Sequence, residues 1–202
     1  MSLLYVTANP KEVHQSYGLQ VGERFINSYR HEHPDETIET IDLFAETFPR
    51  LDQTVLSLWE RHGSLSETET ASIENRYVKQ FKRAEKVVFV TPLWNMSIPP
   101  EMKAYVDQLI VPGHTFNFTD KGIEGTAGGK KILHIQARGG VYSEEPMAGF
   151  EHGDRYLRTI FRLIGIKDYY HLPIEGTSTF PDEANIRLQQ ALEEAETLAK
   201  SF

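Results

Sequence analysis

Five short runs of apolar, β-branched or aromatic residues punctuate the chain, at Leu3 to Thr7, Thr37 to Leu43, Lys86 to Thr91, Lys131 to Ala137 and Tyr169 to Ile174. Their length and residue types are those of β-strands. In the third, Val87-Val88-Phe89-Val90 is apolar at every position, as a strand buried on both faces should be. Between the runs, apolar residues recur at helical spacing: Leu19, Gly22, Phe25, Ile26 and Tyr29; Ile73, Tyr77 and Phe81; Met102, Tyr105, Val106 and Leu109; Tyr156, Leu157, Ile160, Phe161 and Ile164. A last helix carries Leu188, Ala191, Leu192, Ala195 and Leu198. Strict strand and helix alternation predicts βαβ units, whose right-handed crossovers build a parallel sheet with helices on both faces. The expected class is doubly wound α/β.

Boundary chemistry sharpens these elements. Ser66 and Glu69 have capping-box spacing ahead of the helix of Ile73, Tyr77 and Phe81, Ser97 precedes Pro99 and Pro100 in a first helical turn, and Gly165 closes the helix of Phe161. One segment breaks the rhythm: residues 44–66, with Phe44, Phe48, Leu51, Val55, Leu58 and Trp59, are too long and apolar for a plain connection. Either an extra helix on the core edge or a flap or subunit contact would account for them.

At 202 residues a single domain over 1–202 is expected, because splitting the chain leaves two marginal cores. The absence of cysteine removes disulfides, thiolate metal sites and a cysteine nucleophile. No apolar run approaches the roughly 20 residues of a membrane span, and the opening stretch lacks the basic flank and apolar length of an export signal, so the expectation is a cytoplasmic protein without a membrane partner. A net charge of −8 with scattered Lys and Arg argues against nucleic acid as a partner.

In an open parallel sheet, ligands bind outside the carboxyl ends of the strands, so the loops after the first, third and fourth runs are the candidates. After the first comes Ala8-Asn9-Pro10-Lys11-Glu12-Val13-His14-Gln15-Ser16-Tyr17-Gly18, a polar loop entering a helix whose free N–H groups suit a phosphate. It also reads as a connection with Ser16 as an ordinary N-cap. The loop Thr91-Pro92-Leu93-Trp94-Asn95-Met96-Ser97-Ile98-Pro99-Pro100 puts an indole and an amide where small turn residues are usual. It either grips a flat heterocycle or seals the sheet end with Trp94. In Gln136-Ala137-Arg138-Gly139-Gly140-Val141-Tyr142-Ser143, two glycines let backbone approach a ligand, or simply make a turn. Neither G-x-G-x-x-G nor G-x-x-x-x-G-K-[ST] occurs, and the strand-one end lacks the acidic cluster of a receiver domain.

The remaining polar residues have plainer readings. His31-Glu32-His33 lacks a third metal ligand in helical register, His134 and His171 lie in strands as satisfied core or edge residues, and Lys130-Lys131 after Gly128-Gly129 reads as a solvated turn. No hydrolase triad and no metal site are legible.

Pro92-Leu93-Trp94-Asn95-Met96-Ser97-Ile98-Pro99, Ala137-Arg138-Gly139-Gly140-Val141-Tyr142-Ser143-Glu144, and Glu175-Gly176 with Phe180-Pro181-Asp182 resemble the FMN-dependent NADH-azoreductase family over the whole chain. The resemblance implies a flavodoxin-like sheet in the order 2-1-3-4-5, a homodimer, and reduction of quinones and azo compounds with NADH or NADPH as donor. It implies FMN with its phosphate on Ser16, Tyr17 and Gly18 and a contact from Asn9 or Ala8, Leu93, Trp94, Asn95 and Met96 along the isoalloxazine, and Ala137, Arg138, Gly139 and Gly140 at its other polar edge. Phe116 and Phe118 match a segment placed near the substrate, and Leu163 one that reaches the partner's site. The chain departs from several relatives in carrying Gly18 and Ala137 where they have serine, which removes hydroxyl donors. Hydride transfer belongs to the flavin, so no catalytic side chain is required; the backbone of Asn95, Gly139 and Gly140 would tune it. A flavodoxin-type electron carrier without its own NAD(P)H turnover is the competing reading.

Overall fold

The computed structural model describes residues 2–61 and 63–202. In chain order the elements are β1 (Ser2–Thr7), α1 (Tyr17–Glu32), β2 (Thr37–Asp42), α2 (Gln53–Glu60), α3 (Glu67–Ser72), α4 (Arg76–Arg83), β3 (Lys86–Pro92), α5 (Pro100–Leu109), β4 (Phe116–Thr119), β5 (Gly122–Gly125), β6 (Lys131–Ala137), α6 (Gly153–Leu163), β7 (Asp168–Ile174) and α7 (Ala184–Ser201). Five strands form one parallel sheet in the order β2-β1-β3-β6-β7. This is the expected 2-1-3-4-5 order once the two strands of a separate antiparallel hairpin, β4 and β5, are passed over.

Because successive strand residues point to opposite faces, each central strand feeds two cores. Val87 and Phe89 of β3 join Leu4, Val6 and Ile132 against Phe81, Tyr105 and Phe161 of α4, α5 and α6. Val88 and Val90 join Leu3, Tyr5, Leu133 and Ile135 against Phe25, Tyr29 and Leu192 of α1 and α7. The unbroken apolar run is thus the mark of burial on both faces. Gly22 of α1 lies on Tyr5 and Val90 so closely that a Cβ has no room, which sets the depth at which the helix beds on the sheet. Gly165, at φ +99°, ends α6 as expected, its amide donating to Arg162 O at 3.0 Å.

Residues 44–66 contain a helix, α2, capped by Asp52, whose side chain accepts from Val55 N at 2.9 Å. Its Leu58 and Trp59, with Leu65, pack on Ile73, Val78 and Val111. The capping box is present, but it opens α3 rather than the helix carrying Tyr77 and Phe81. That helix, α4, begins at Arg76 under the Asn75 side chain, which accepts from both Tyr77 N and Val78 N. A second correction concerns Lys130. It is buried, with Nζ donating to the carbonyls of Lys82 at 2.9 Å and Ala84 at 2.5 Å beside the Phe81 ring, so it caps the end of α4 instead of being solvated. Burial holds its pKa below the ordinary lysine value. Among the described residues, no helix is long and apolar enough to cross a membrane.

Candidate functional site

Three loops leave the carboxyl ends of β1, β3 and β6 and enclose a cleft of about 260 Å³. Its walls are Asn9, Lys11, Gln15, Ser16 and Tyr17 from the first loop, Pro92, Leu93 and Trp94 from the second, and Ala137, Arg138 and Gly139 from the third. Thr177 and Ser178, after β7, complete it.

The first loop is pinned across its mouth. Asn9 Nδ2 donates to Ser16 Oγ at 2.9 Å while Asn9 Oδ1 accepts from Lys11 N at 3.0 Å, and Ser16 Oγ caps α1 by accepting from Leu19 N at 3.3 Å. Ser16 is therefore an N-cap, and the same capping leaves the amides of Tyr17 and Gly18 without an acceptor among the described residues, at the positive end of the helix dipole. A Cβ on Gly18 would stand 3.4 Å from that of Ala137. Gly18 thus lets α1 lie close on Ala137 at the end of β6.

The second loop is a two-residue turn. Trp94 and Ser97 exchange backbone hydrogen bonds of 2.9 Å in both directions, and Asn95 and Met96 between them have φ of +48° and +66°. Asparagine enters the left-handed region with modest strain, whereas methionine has no local hydrogen bond to offset it. The two amides of the strained pair have no acceptor among the described residues. Trp94 is half-buried, edge-on to Phe44 with ring centroids 6.2 Å apart, so it lines the cleft rather than sealing the sheet.

The third loop is braced by buried charge. Arg138, only 4% exposed, donates from Nε to Gln136 Oε1 at 2.8 Å, from Nη1 to Glu175 Oε1 at 2.7 Å and from Nη2 to His171 Nε2 at 3.0 Å. Glu175 in turn accepts from Tyr142 N at 2.8 Å and Ser143 Oγ at 2.5 Å. Burial opposes the charge on Glu175, but Ser143, Tyr142 and Arg138 outweigh it and hold the carboxyl below its ordinary range. Gly139 and Gly140 hang between these anchors. Gly139 O accepts from Ser178 N at 2.9 Å and Thr179 N at 3.0 Å, and a Cβ on Gly139 would come 2.9 Å from Ser178 Oγ.

Behind this loop lies a cluster that sequence reasoning missed. Asp154, in the first turn of α6, accepts from His134 Nδ1 at 2.9 Å and Tyr169 Oη at 2.9 Å through Oδ1, and from Arg158 Nη2 at 3.2 Å through Oδ2. His134 Nε2 meets Thr91 Oγ1 at 2.9 Å. Burial works against Asp154, yet the histidines and Tyr169 overcome it and hold its pKa well below the usual range. The two histidines are satisfied interior residues, as their strand positions suggest, but nothing local in the sequence joins them to Asp154.

The cleft gathers Asn9, Ser16, Tyr17, Leu93, Trp94, Ala137, Arg138 and Gly139, with Gly18, Asn95, Met96 and Gly140 on the same loops. Phe116, Phe118 and Leu163 are not among its walls. Phe116 is packed in the core, Phe118 is 57% exposed at the hairpin and Leu163 39% exposed on α6. Phe116 and Phe118 instead border a separate apolar recess of about 420 Å³ with Leu56, Trp59 and Pro112.

Residues 1–199 match a family model described as "Flavodoxin-like fold". The chain is 40% identical over 208 aligned residues, 99% of each protein, to an FMN-dependent NADH:quinone oxidoreductase 2 of Bacillus thuringiensis subsp. konkukian. It is similar in structure to an azoreductase from Bacillus anthracis, with a TM-score of 0.91 and 35% identity over 100% of this chain and 99% of that one. It is also similar to an FMN-dependent NADH-azoreductase from Bacillus anthracis in complex with FMN, with a TM-score of 0.86 and 34% identity over 99% of this chain and 98% of that one.

Proposed function

The chain belongs to the flavodoxin-like family of FMN-dependent NADH:quinone oxidoreductases and azoreductases, and we propose that it uses FMN to reduce quinones and aromatic azo compounds with NADH or NADPH. The observation that carries this reading is one cleft bordered by three loops whose amides at Tyr17, Gly18, Asn95, Met96, Gly139 and Gly140 have no acceptor among the described residues, beside Leu93 and Trp94. A flavin needs that combination of anion site, ring surface and donors at its polar edges.

The Tyr17 and Gly18 amides, with Ser16 and Asn9, would hold the phosphate; helix-end amides supply donors where the serine hydroxyls are missing. Leu93 and Trp94 would flank the ring, and the fixed amides of Asn95 and Met96 would donate to its edge. Gly139 and Gly140 would present amides to the opposite polar edge, where preorganised dipoles stabilise developing negative charge without reorganising. Ala137 and Arg138 contribute through backbone, because the Arg138 guanidinium is committed to Gln136, Glu175 and His171. FMN, when bound, supplies the hydride chemistry, so the protein's task is placement and electrostatics rather than acid catalysis.

The acceptor side of this reading requires a second copy. Phe118 of the hairpin and Leu163 of α6 are exposed and do not line their own cleft, and apolar surface of that kind is suited to covering a partner's site. A homodimer of single-domain chains, acting in the cytoplasm, is the assembly we infer. Anaerobic mixing of the FMN-reconstituted protein with NADH, followed by quinone, tests the activity: bleaching and then recovery of the flavin absorbance are expected, with parallel double-reciprocal lines in steady state. A flavin that NADH leaves oxidised would instead identify an electron carrier.

A further inference from the structure

The third loop poses a question that its glycines do not answer: what fixes a flexible Gly-Gly segment well enough to aim its amides? The anchors are indirect. Glu175 ties Tyr142 and Ser143 to Arg138, and Arg138 is oriented from below by residues of the sheet. Gln136 Oε1 accepts a hydrogen bond from its Nε and His171 Nε2 faces Nη2 at 3.0 Å. A guanidinium has five donors and no acceptor, and the other neighbour of His171 Nε2, Gln136 Oε1 at 3.3 Å, already accepts from Arg138 Nε, so the shorter contact makes Nε2 the acceptor and puts the imidazole proton on Nδ1. Nδ1 lies 3.7 Å from Asp154 Oδ2, and the His171 ring stacks on that of His134, its register partner, at 5.3 Å. The hydrogen bonds from His171 through Arg138 to Glu175 therefore all run donor to acceptor, and the Asp154 carboxylate faces the Nδ1 proton as a charge rather than as a hydrogen-bond partner.

Three histidine and carboxylate groups within 4.8 Å of one another could also suggest a cation site. Here, however, Arg138 occupies the free nitrogen of His171 and Arg158 the second oxygen of Asp154, and two guanidinium groups repel a metal ion.

We propose that His171 is a positioning residue: stacked on His134 and facing Asp154, it fixes the Arg138 guanidinium and, through Glu175, the course of Gly139 and Gly140, without touching the ligand itself. The inference rests on the FMN reading for its consequence, but its structural half stands apart from it. Burial first, then His134, with Arg138 and Arg158 adding, pushes the His171 pKa down to about 3 against the opposing pull of Asp154, so the neutral ring persists across the physiological range. The groups facing it are His134 of β6, Asp154 and Arg158 of α6, and Arg138 and Gln136 at the end of β6.

Imidazole 15N resonances of the full-length protein at neutral pH provide the first test, and no FMN is needed. A neutral ring protonated on Nδ1 is expected; protonation on Nε2, or an imidazolium, overturns the proposal. The second test compares His171→Leu with His171→Gln, whose side-chain oxygen restores an acceptor near Nε2. Loss of a hydrogen bond to a charged group lowers FMN affinity about tenfold in the leucine variant. If the reduced flavin loses a further tenfold, the midpoint potential falls by about 30 mV, and glutamine recovers most of both. Amide exchange of residues 139–143 in FMN-free protein follows the same order, fastest for leucine. Variants that fold, by circular dichroism, yet match the wild type in amide exchange overturn the proposal, as does an equal effect of leucine and glutamine. Should wild-type protein fail to bind FMN, the site reading falls, while the tautomer and the exchange of 139–143 still decide the role of His171.

Discussion

The loops after β3 and β6 do the same job by opposite means. Both border one cleft, yet the first is held by backbone hydrogen bonds and the second by side chains far along the sequence. Asn95 and Met96 are locked into left-handed backbone between two reciprocal Trp94–Ser97 hydrogen bonds, with Met96 O accepting from His152 N at 2.9 Å, a device of backbone groups that carries no charge. Gly139 and Gly140 could adopt many conformations, and their geometry comes from Arg138, Glu175, His171 and Asp154. A turn defined by strain tolerates changes in its surroundings, whereas a turn defined by buried charge inherits the sensitivities of every group in the network. The two loops should therefore respond differently to mutation and to pH.

The largest separation is expected from Arg138→Met. Side-chain exposures of 4% and 12% make Arg138 and Glu175 a buried pair, and removing one partner of such a pair costs about 3–5 kcal/mol because the other charge is left uncompensated. Urea unfolding checks this. The double variant Arg138→Met with Glu175→Gln should recover part of the loss, and a single variant within experimental error of the wild type would break the contrast.

Acid should separate the loops next. His171 has a folded pKa near 3 against an ordinary value of 6.5, so between those values the unfolded chain binds the extra proton and stability falls as pH drops below 6.5. Asp154 and Glu175, whose folded pKa values are depressed, contribute stability that is complete above the ordinary carboxylate range and is lost as pH falls below it. Unfolding free energy measured from pH 7 to pH 4 should slope downward, and His171→Gln should flatten that slope. An unchanged slope would remove His171 from the acid response.

The same contrast explains what the sequence made legible. Strand runs, helix spacing and sheet order come from periodicities of a few residues, and the three site loops follow because an open parallel sheet puts ligands at its carboxyl edge. Local signals failed where the partner was distant. The Ser66–Glu69 box was correctly formed but belonged to α3, because Asn75 nine residues later caps a helix of its own. Lys130 resembled a solvated turn residue until the end of α4 supplied two carbonyls to bury it against. The hairpin of β4 and β5 has strands of four residues each with polar positions between, too short for alternation to register. Asp154, His134 and His171 are individually unremarkable, and only the register of β6 with β7 and the start of α6 joins them.

Within the cleft the expected effects are smaller. Gly139→Ala places a Cβ 2.9 Å from Ser178 Oγ, a crowding worth about 1–3 kcal/mol when neighbours must shift; it should weaken FMN binding, measured by fluorescence quenching, more than it lowers stability. Met96→Gly should move in the other direction. At φ +66° a side chain costs roughly 1–2 kcal/mol that glycine does not incur, while the greater freedom of glycine in the unfolded chain takes back about 0.5–1 kcal/mol. The net gain is therefore about 0–1.5 kcal/mol. Asn95→Gly gains less, since asparagine already tolerates that region. Thermal unfolding of the two variants side by side tests whether backbone strain holds the second loop: a stabilised Met96→Gly with a near-neutral Asn95→Gly fits it, and a destabilised Met96→Gly would mean that contacts of the methionine side chain, rather than the turn, hold that loop in place.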